Sequence, residues 1–193
     1  PHRPFVGRKR ELALLRRALH HPDKRLLTLT GPGGVGKTML ALHLGHQLTQ
    51  DFLGPFMHGV FFVDLEQALE EPTSRRSDDV RLMFFISETL SLKLPYTSRF
   101  RERFLKTFQH KELLLILDLG EEEIPGLTSL LHQLMTSCPS LRCLVTSRRK
   151  LRLQQEQLFA LKPFLVPTIH AIGGYRTRAA QLQQLWTFPL ARL

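Results

Sequence analysis

Apolar positions along this chain follow two rhythms, one helical and one extended. Residues 9–20 set Leu12, Leu15 and Leu19 on one side of a helix, with Arg16 and Arg17 on another. Arg25-Leu26-Leu27-Thr28-Leu29-Thr30 reads as a strand closed by a glycine-rich turn, and residues 37–49 return to helical spacing through Leu40, Leu44 and Leu48. Gly59-Val60-Phe61-Phe62-Val63-Asp64 and Leu113-Leu114-Leu115-Ile116-Leu117 are near-continuously apolar, as strands of a parallel sheet covered on both faces are.

Ser77 is predicted to cap a helix, with Asp78 and Asp79 favoured in its first turn by the macrodipole. A helix beginning near Ser98 carries Phe100, Phe104 and Phe108 at i, i+4 and i+8, a stripe that predicts core packing. A further helix over residues 125–137 stops at Cys138-Pro139, and strands over 142–146 and 158–161 complete the alternation. This order predicts an α/β three-layer sandwich: a parallel five-stranded sheet with helices on both faces and right-handed crossovers. Ligands of such sheets bind at the carboxyl ends of the strands, and the residues with chemistry to offer fall there.

The turn Gly31-Pro32-Gly33-Gly34-Val35-Gly36-Lys37-Thr38 fits the full phosphate-loop pattern between a strand and a helix. Gly31, Gly33, Gly34 and Gly36 leave backbone amides free to wrap anionic oxygens, which side chains would obstruct. Val35, Gly36 and Lys37 stand where the helix begins, so unpaired amides and the positive dipole end face the phosphates. The pattern predicts that Lys37 bridges β- and γ-phosphates of ATP and that the Thr38 hydroxyl ligates Mg²⁺. The strand over 113–117 ends in Asp118, the carboxylate expected to support that metal through its water. Glu121, Glu122 and Glu123 follow, and one of them, with Glu121 the candidate catalytic acid, is expected to orient an attacking water; for Glu122 and Glu123 a solvated helix N-terminus is an equal reading.

Composition narrows the picture without redirecting it. The 193 residues suit one α/β domain with a short remainder, and 42% hydrophobic against 23% charged is ordinary for a folded chain. No apolar run nears the ~20 residues that span a bilayer, and Pro1-His2-Arg3-Pro4 lacks the apolar stretch of a secretory signal. The missing initiator Met is read as the mark of a fragment or processed product. Cys138 and Cys143 match neither zinc nor redox spacing, so the expected setting is a reducing cytoplasm. His43 and His46 share a helix face but have no evident third ligand, which favours ordinary histidines over a metal site. The net charge of +10 suits phosphate-bearing ligands. It is spread over short basic clusters without one dense tract, so no direct nucleic-acid contact is expected.

Several segments together resemble the STAND class of P-loop ATPases, relatives of the AAA+ proteins that include the NB-ARC domains. These are Phe5-Val6-Gly7-Arg8-Lys9-Arg10-Glu11-Leu12, the strand Leu27-Thr28-Leu29-Thr30 entering the phosphate loop, and Gly59 to Leu65. Cys138-Pro139-x-Leu141-x-x-Leu144-Val145-Thr146-Ser147-Arg148 and Phe159-x-Leu161-x-Pro163 extend the match. The ATPase domains of large bacterial transcriptional activators are the most similar. The resemblance covers residues 4–167 and leaves 168–193 as a divergent tail, a short helix or disordered. It implies that Val6, Gly7 and Arg8 lie over adenine and ribose, that Arg148 senses the γ-phosphate, and that the fourth strand separates the phosphate-loop strand from the Asp118 strand. It further implies a switch, closed on ADP and opened by exchange, working with other domains or protein partners of a signalling assembly. Leu119 departs from the Asp or Asn usual after the strand-end Asp, which predicts slow or absent hydrolysis. The alternatives are a small-molecule P-loop kinase, for which no acceptor or lid motif stands out, and a degenerate, weakly binding fragment.

Overall fold

The computed structural model describes residues 7–51, 54–69, 77–120 and 123–164. In chain order it contains α1 (Lys9–His20), β1 (Leu26–Thr30), α2 (Lys37–Thr49), β2 (Val60–Asp64) and a 3₁₀ turn (Glu66–Leu69). There follow α3 (Asp78–Thr89), α4 (Phe100–Phe108), β3 (Leu114–Asp118), α5 (Leu127–Ser137), β4 (Arg142–Ser147) and β5 (Glu156–Ala160). All five strands are parallel, in the order β2-β3-β4-β1-β5, so β4 lies between the phosphate-loop strand and the Asp118 strand as expected. The predicted tail over 168–193 falls outside the described residues.

Two apolar layers explain why β3 has no polar alternation. Leu115 and Leu117 point into a core built with Leu82, Met83 and Ile86 of α3, the Phe100–Phe104–Phe108 stripe of α4, and Leu127, Leu130, Leu131 and Leu134 of α5. Leu114 and Ile116 point the other way, onto Leu15 and Leu19 of α1 and Leu40, Ala41, Leu44 and Leu48 of α2. Full burial of each large apolar side chain contributes roughly 1.5–3 kcal/mol. The helix α2 rides close over the sheet: a Cβ on Gly45 would stand 2.7 Å from Ile116 Cδ1, so this mid-helix glycine trades helix propensity for close approach.

Polar ties set how the outer helices meet. Asp79 is buried at the start of α3 and accepts hydrogen bonds from Arg101 of α4 (2.9 Å) and Gln133 of α5 (2.7 Å), with Ser129 Oγ at 3.4 Å. Ser77 occupies the N-cap position of α3, but its side chain makes no cap bond. Its hydroxyl instead accepts from Arg101 at 3.2 Å, while its carbonyl accepts the Val80 and Arg81 amides at 3.0 and 3.2 Å. Tertiary pairing with α4 has displaced the expected local cap. Below the sheet, Arg25 donates to the carbonyls of Met135 (2.7 Å), Cys138 (3.0 Å) and Pro139 (3.3 Å), closing the C-terminus of α5 with a cation.

Candidate nucleotide site

The phosphate loop leaves β1 at Thr30 and enters α2 at Lys37, at the carboxyl edge of the sheet. Gly34 and Gly36 have φ of 71° and 92°, left-handed values that a side chain would strain. Gly36 is the N-cap residue of α2, so the helix presents its unpaired amides toward the loop. Gly31 has a different reason: a Cβ there would meet the Leu161 carbonyl oxygen at 2.6 Å, because the segment after β5 packs directly on the loop.

Lys37 is buried, and its Nζ donates to the carbonyl oxygens of Gly31 (3.0 Å) and Pro32 (3.1 Å). The ammonium therefore sits inside the loop's own curve, where phosphate oxygens would compete with those carbonyls. The Thr38 hydroxyl, one residue on, donates to both carboxylate oxygens of Asp118 at 3.0 Å. Asp118 is the last residue of β3, buried, and also accepts a hydrogen bond from the hydroxyl of Thr146 on β4. With its proton committed to Asp118, the Thr38 oxygen keeps lone pairs for a cation.

These donors fit magnesium. Hydroxyl and carboxylate oxygens suit a hard ion that retains waters and takes its remaining ligands from phosphate. Among the described residues no cluster of three or more His, Cys, Asp or Glu could hold a metal by itself. His43 Nε2 lies 3.2 Å from the Gln47 side-chain nitrogen on the exposed face of α2. Asp64, level with Asp118 in the sheet, turns away to accept the Glu66 amide (3.1 Å) and Gln67 Nε2 (3.0 Å).

Arg8 lies against the loop from the other side. It precedes α1 with φ 59°, is buried, pairs with Glu11 at 3.0 Å and donates to the Val35 carbonyl at 3.4 Å. Its guanidinium stacks 3.9 Å above the Phe164 ring, so one side chain gathers the N-terminal segment, the phosphate loop and the chain after β5. Gly7 stands beside it with φ 85°. Arg148 is exposed immediately after β4, whose last residue Ser147 is level with Thr30 at the loop's entry. Val6 and Glu121 lie outside the described residues; Glu123 is exposed and pairs with Arg149 at 3.2 Å.

Three features escaped the sequence reading. Thr146 shows in the sequence as the end of the fourth strand and as part of the segment carrying the resemblance, but its acceptor becomes visible only once β4 is known to pair with β3. Phe164 gave no signal as a partner for Arg8. Leu119 stands where the sequence leads one to expect a polar group near the phosphates, yet its side chain is buried in the apolar core with residues of α3 and α5. Both thiols are free and buried, with Cys138 pushed up to about 11 by burial against a smaller opposing effect of Arg25, and Cys143 raised further. Neither is a nucleophile at neutral pH.

The sheet order, phosphate loop and carboxylate-ended β3 define a P-loop nucleotide-binding fold. The model of the AAA ATPase domain family matches residues 4–153, and the chain belongs to that family. It is 33% identical over 181 residues to an uncharacterized Mycobacterium tuberculosis protein, covering 93% of this chain and 42% of that one. A second M. tuberculosis protein, named as an HTH-type transcriptional regulator, is 28% identical over 86% of this chain and 17% of its own length. The chain thus spans less than half of these curated relatives. Among solved structures, a Pyrococcus horikoshii signal transduction ATPase with numerous domains and a tetratricopeptide repeat sensor shares the fold, with TM-score 0.52 and 18% identity. That likeness covers 86% of this chain and 24% of the archaeal one. No described helix is long and apolar enough to cross a membrane.

Proposed function

We propose that the chain is the ATP- and ADP-binding core of a regulatory switch of the STAND kind, part of a signalling or transcription-regulating assembly. The observation that carries this reading is the assembled phosphate site: Lys37 within the loop and the Thr38 hydroxyl on the Asp118 carboxylate. Loop amides and Lys37 bind and orient the phosphates, Thr38 and Asp118 hold magnesium, and Arg8 closes the site against the N-terminal segment. Bound magnesium would neutralise the phosphate charge between these groups. The switch role draws its support from the regulator named among the relatives and the multidomain ATPase that shares the fold.

Calorimetry with ADP and ATP, with and without magnesium, tests the reading. The expected result is binding of both nucleotides, tighter with magnesium, and loss of most affinity in Lys37→Ala. Binding that is unchanged by Lys37→Ala would remove the phosphate loop from the interaction and overturn the proposal.

A further inference from the structure

Asp118 is a buried carboxylate whose hydrogen-bonding groups come from two different elements. Thr38 donates from the first turn of α2, and Thr146 donates from the end of β4. Charge buried this way is costly unless hydrogen bonds or a cation compensate, and hydroxyls compensate only in part. Thr146 itself is almost wholly buried, at 1% exposure. A hydroxyl there costs free energy unless it has an acceptor, and Asp118 supplies one.

The tie is double. Besides the side-chain bond, the Thr146 carbonyl accepts the Leu119 amide at 3.3 Å, and Thr146 stands level with Asp118 in the β3–β4 ladder. The two bonds pin the end of β3 to the end of β4, one through the Asp118 side chain and one through the amide that follows it. Thr38 belongs to the first turn of α2, directly after the phosphate loop. Thr146 sits on a central strand flanked by β3 and β1, outside the phosphate loop itself.

We propose that Thr146 is a positioning residue for magnesium: its hydroxyl fixes the rotation of the Asp118 carboxylate so that one oxygen edge stays turned toward the metal beside Thr38. Resting on the nucleotide-binding reading above, the assignment deepens it. Outer partners that orient a metal-supporting group commonly account for about tenfold to a hundredfold in metal affinity. Valine has nearly the same shape as threonine without the hydroxyl, and serine keeps the hydroxyl without the methyl.

The experiment measures ADP and ATP affinity first in a chelator and then across a magnesium titration, for wild type, Thr146→Val and Thr146→Ser. In Thr146→Val the metal-free ADP affinity stays within about twofold of wild type, while the magnesium concentration giving half of the affinity gain rises about tenfold or more. Thr146→Ser restores most of that shift. A magnesium requirement unchanged in Thr146→Val overturns the role of Thr146 and leaves the nucleotide reading intact. Equal loss of metal-free and magnesium-supported affinity marks a merely structural threonine and likewise overturns it. Absence of nucleotide binding in the wild type overturns the underlying reading, and this assignment with it.

Discussion

Arg148 and Arg8 flank the same loop but are held differently, and that difference separates their expected roles. Arg148 is exposed just after β4, where the family resemblance implies a γ-phosphate sensor, whereas Arg8 is buried against Val35, Glu11 and Phe164. A guanidinium that reaches only the γ-phosphate serves ATP and not ADP. Arg148→Ala is therefore expected to weaken ATP about tenfold while ADP changes little, and Arg8→Ala to weaken both alike. Competition against a fluorescent nucleotide measures this, and equal losses in the Arg148 variant would make it a surface charge. Leu119 calls for the opposite kind of prediction. Its side chain is 3% exposed in the core, so Leu119→Asp would bury a carboxylate among leucines and not deliver a polar group to the phosphates. Denaturant unfolding should show a loss of about 3 kcal/mol or more, and a variant as stable as wild type would refute the core placement.

The elements were largely legible because their apolar spacing is strong. Leu12, Leu15 and Leu19, the phenylalanine stripe and the run through Ile116 each reported both the element and its buried face. What stayed hidden was which element meets which. Ser77 offered a local cap, and nothing in the neighbouring sequence announced that Arg101, 24 positions on, would take its hydroxyl. The phosphate loop was readable for the same reason as the helices, since all its groups lie in one short stretch; Thr146 needed the sheet order. Asp79 joins α3, α4 and α5 by such non-local bonds, and its titration exposes their worth. Burial pushes its pKa up, but the Ser77 and Gln133 side chains, the Arg101 charge and the Val80 amide together outweigh it and hold the carboxyl below its ordinary 3.8. A carboxyl depressed on folding stabilises the native state above the unfolded-state pKa and loses that contribution as pH falls through its lower folded value. Arg101 is half exposed, so the effect is modest. Asp79→Asn should cost about 1–2 kcal/mol at pH 7, with the gap from wild type narrowing below about pH 4. A gap independent of pH would show that the charge of Asp79 plays no part. At the far end of α5, Arg25→Ala should cost about 1–2 kcal/mol by freeing three carbonyls, with Arg25→Lys recovering only part because an ammonium lacks the planar fork. Full recovery by lysine would reduce the contact to its charge.

Over the whole molecule, the reading proposed here asks different things of nucleotide binding and of hydrolysis. Phosphate-loop amides, Lys37, Thr38 and Asp118 are contributed by β1, α2 and β3, rigid elements locked by the two apolar layers. On the proposed reading they act on bound ATP before any reaction, so affinity is expected from the fold itself. Hydrolysis asks for more: a water held in line with the γ-phosphate by a carboxylate or amide, in a site shielded from bulk solvent. Leu119 supplies no such group, because it serves the core. Asp118 is already committed to two threonine hydroxyls and, on the reading proposed here, to magnesium. Glu121 is the acid left at a plausible sequence position. The chain also spans 42% of its more similar curated relative, so further contacts to the nucleotide have room to come from the remainder of such proteins. The isolated chain is accordingly expected to gain stability from nucleotide, about 2.7 kcal/mol at a ligand concentration a hundred times Kd, while releasing phosphate far below the rates usual for enzymes. Thermal unfolding with ADP and ATP, run beside a phosphate-release assay, measures both halves. Release faster than about 1 s⁻¹ would show that a water-orienting group is in place after all, and would reassign the chain from nucleotide holder to working ATPase.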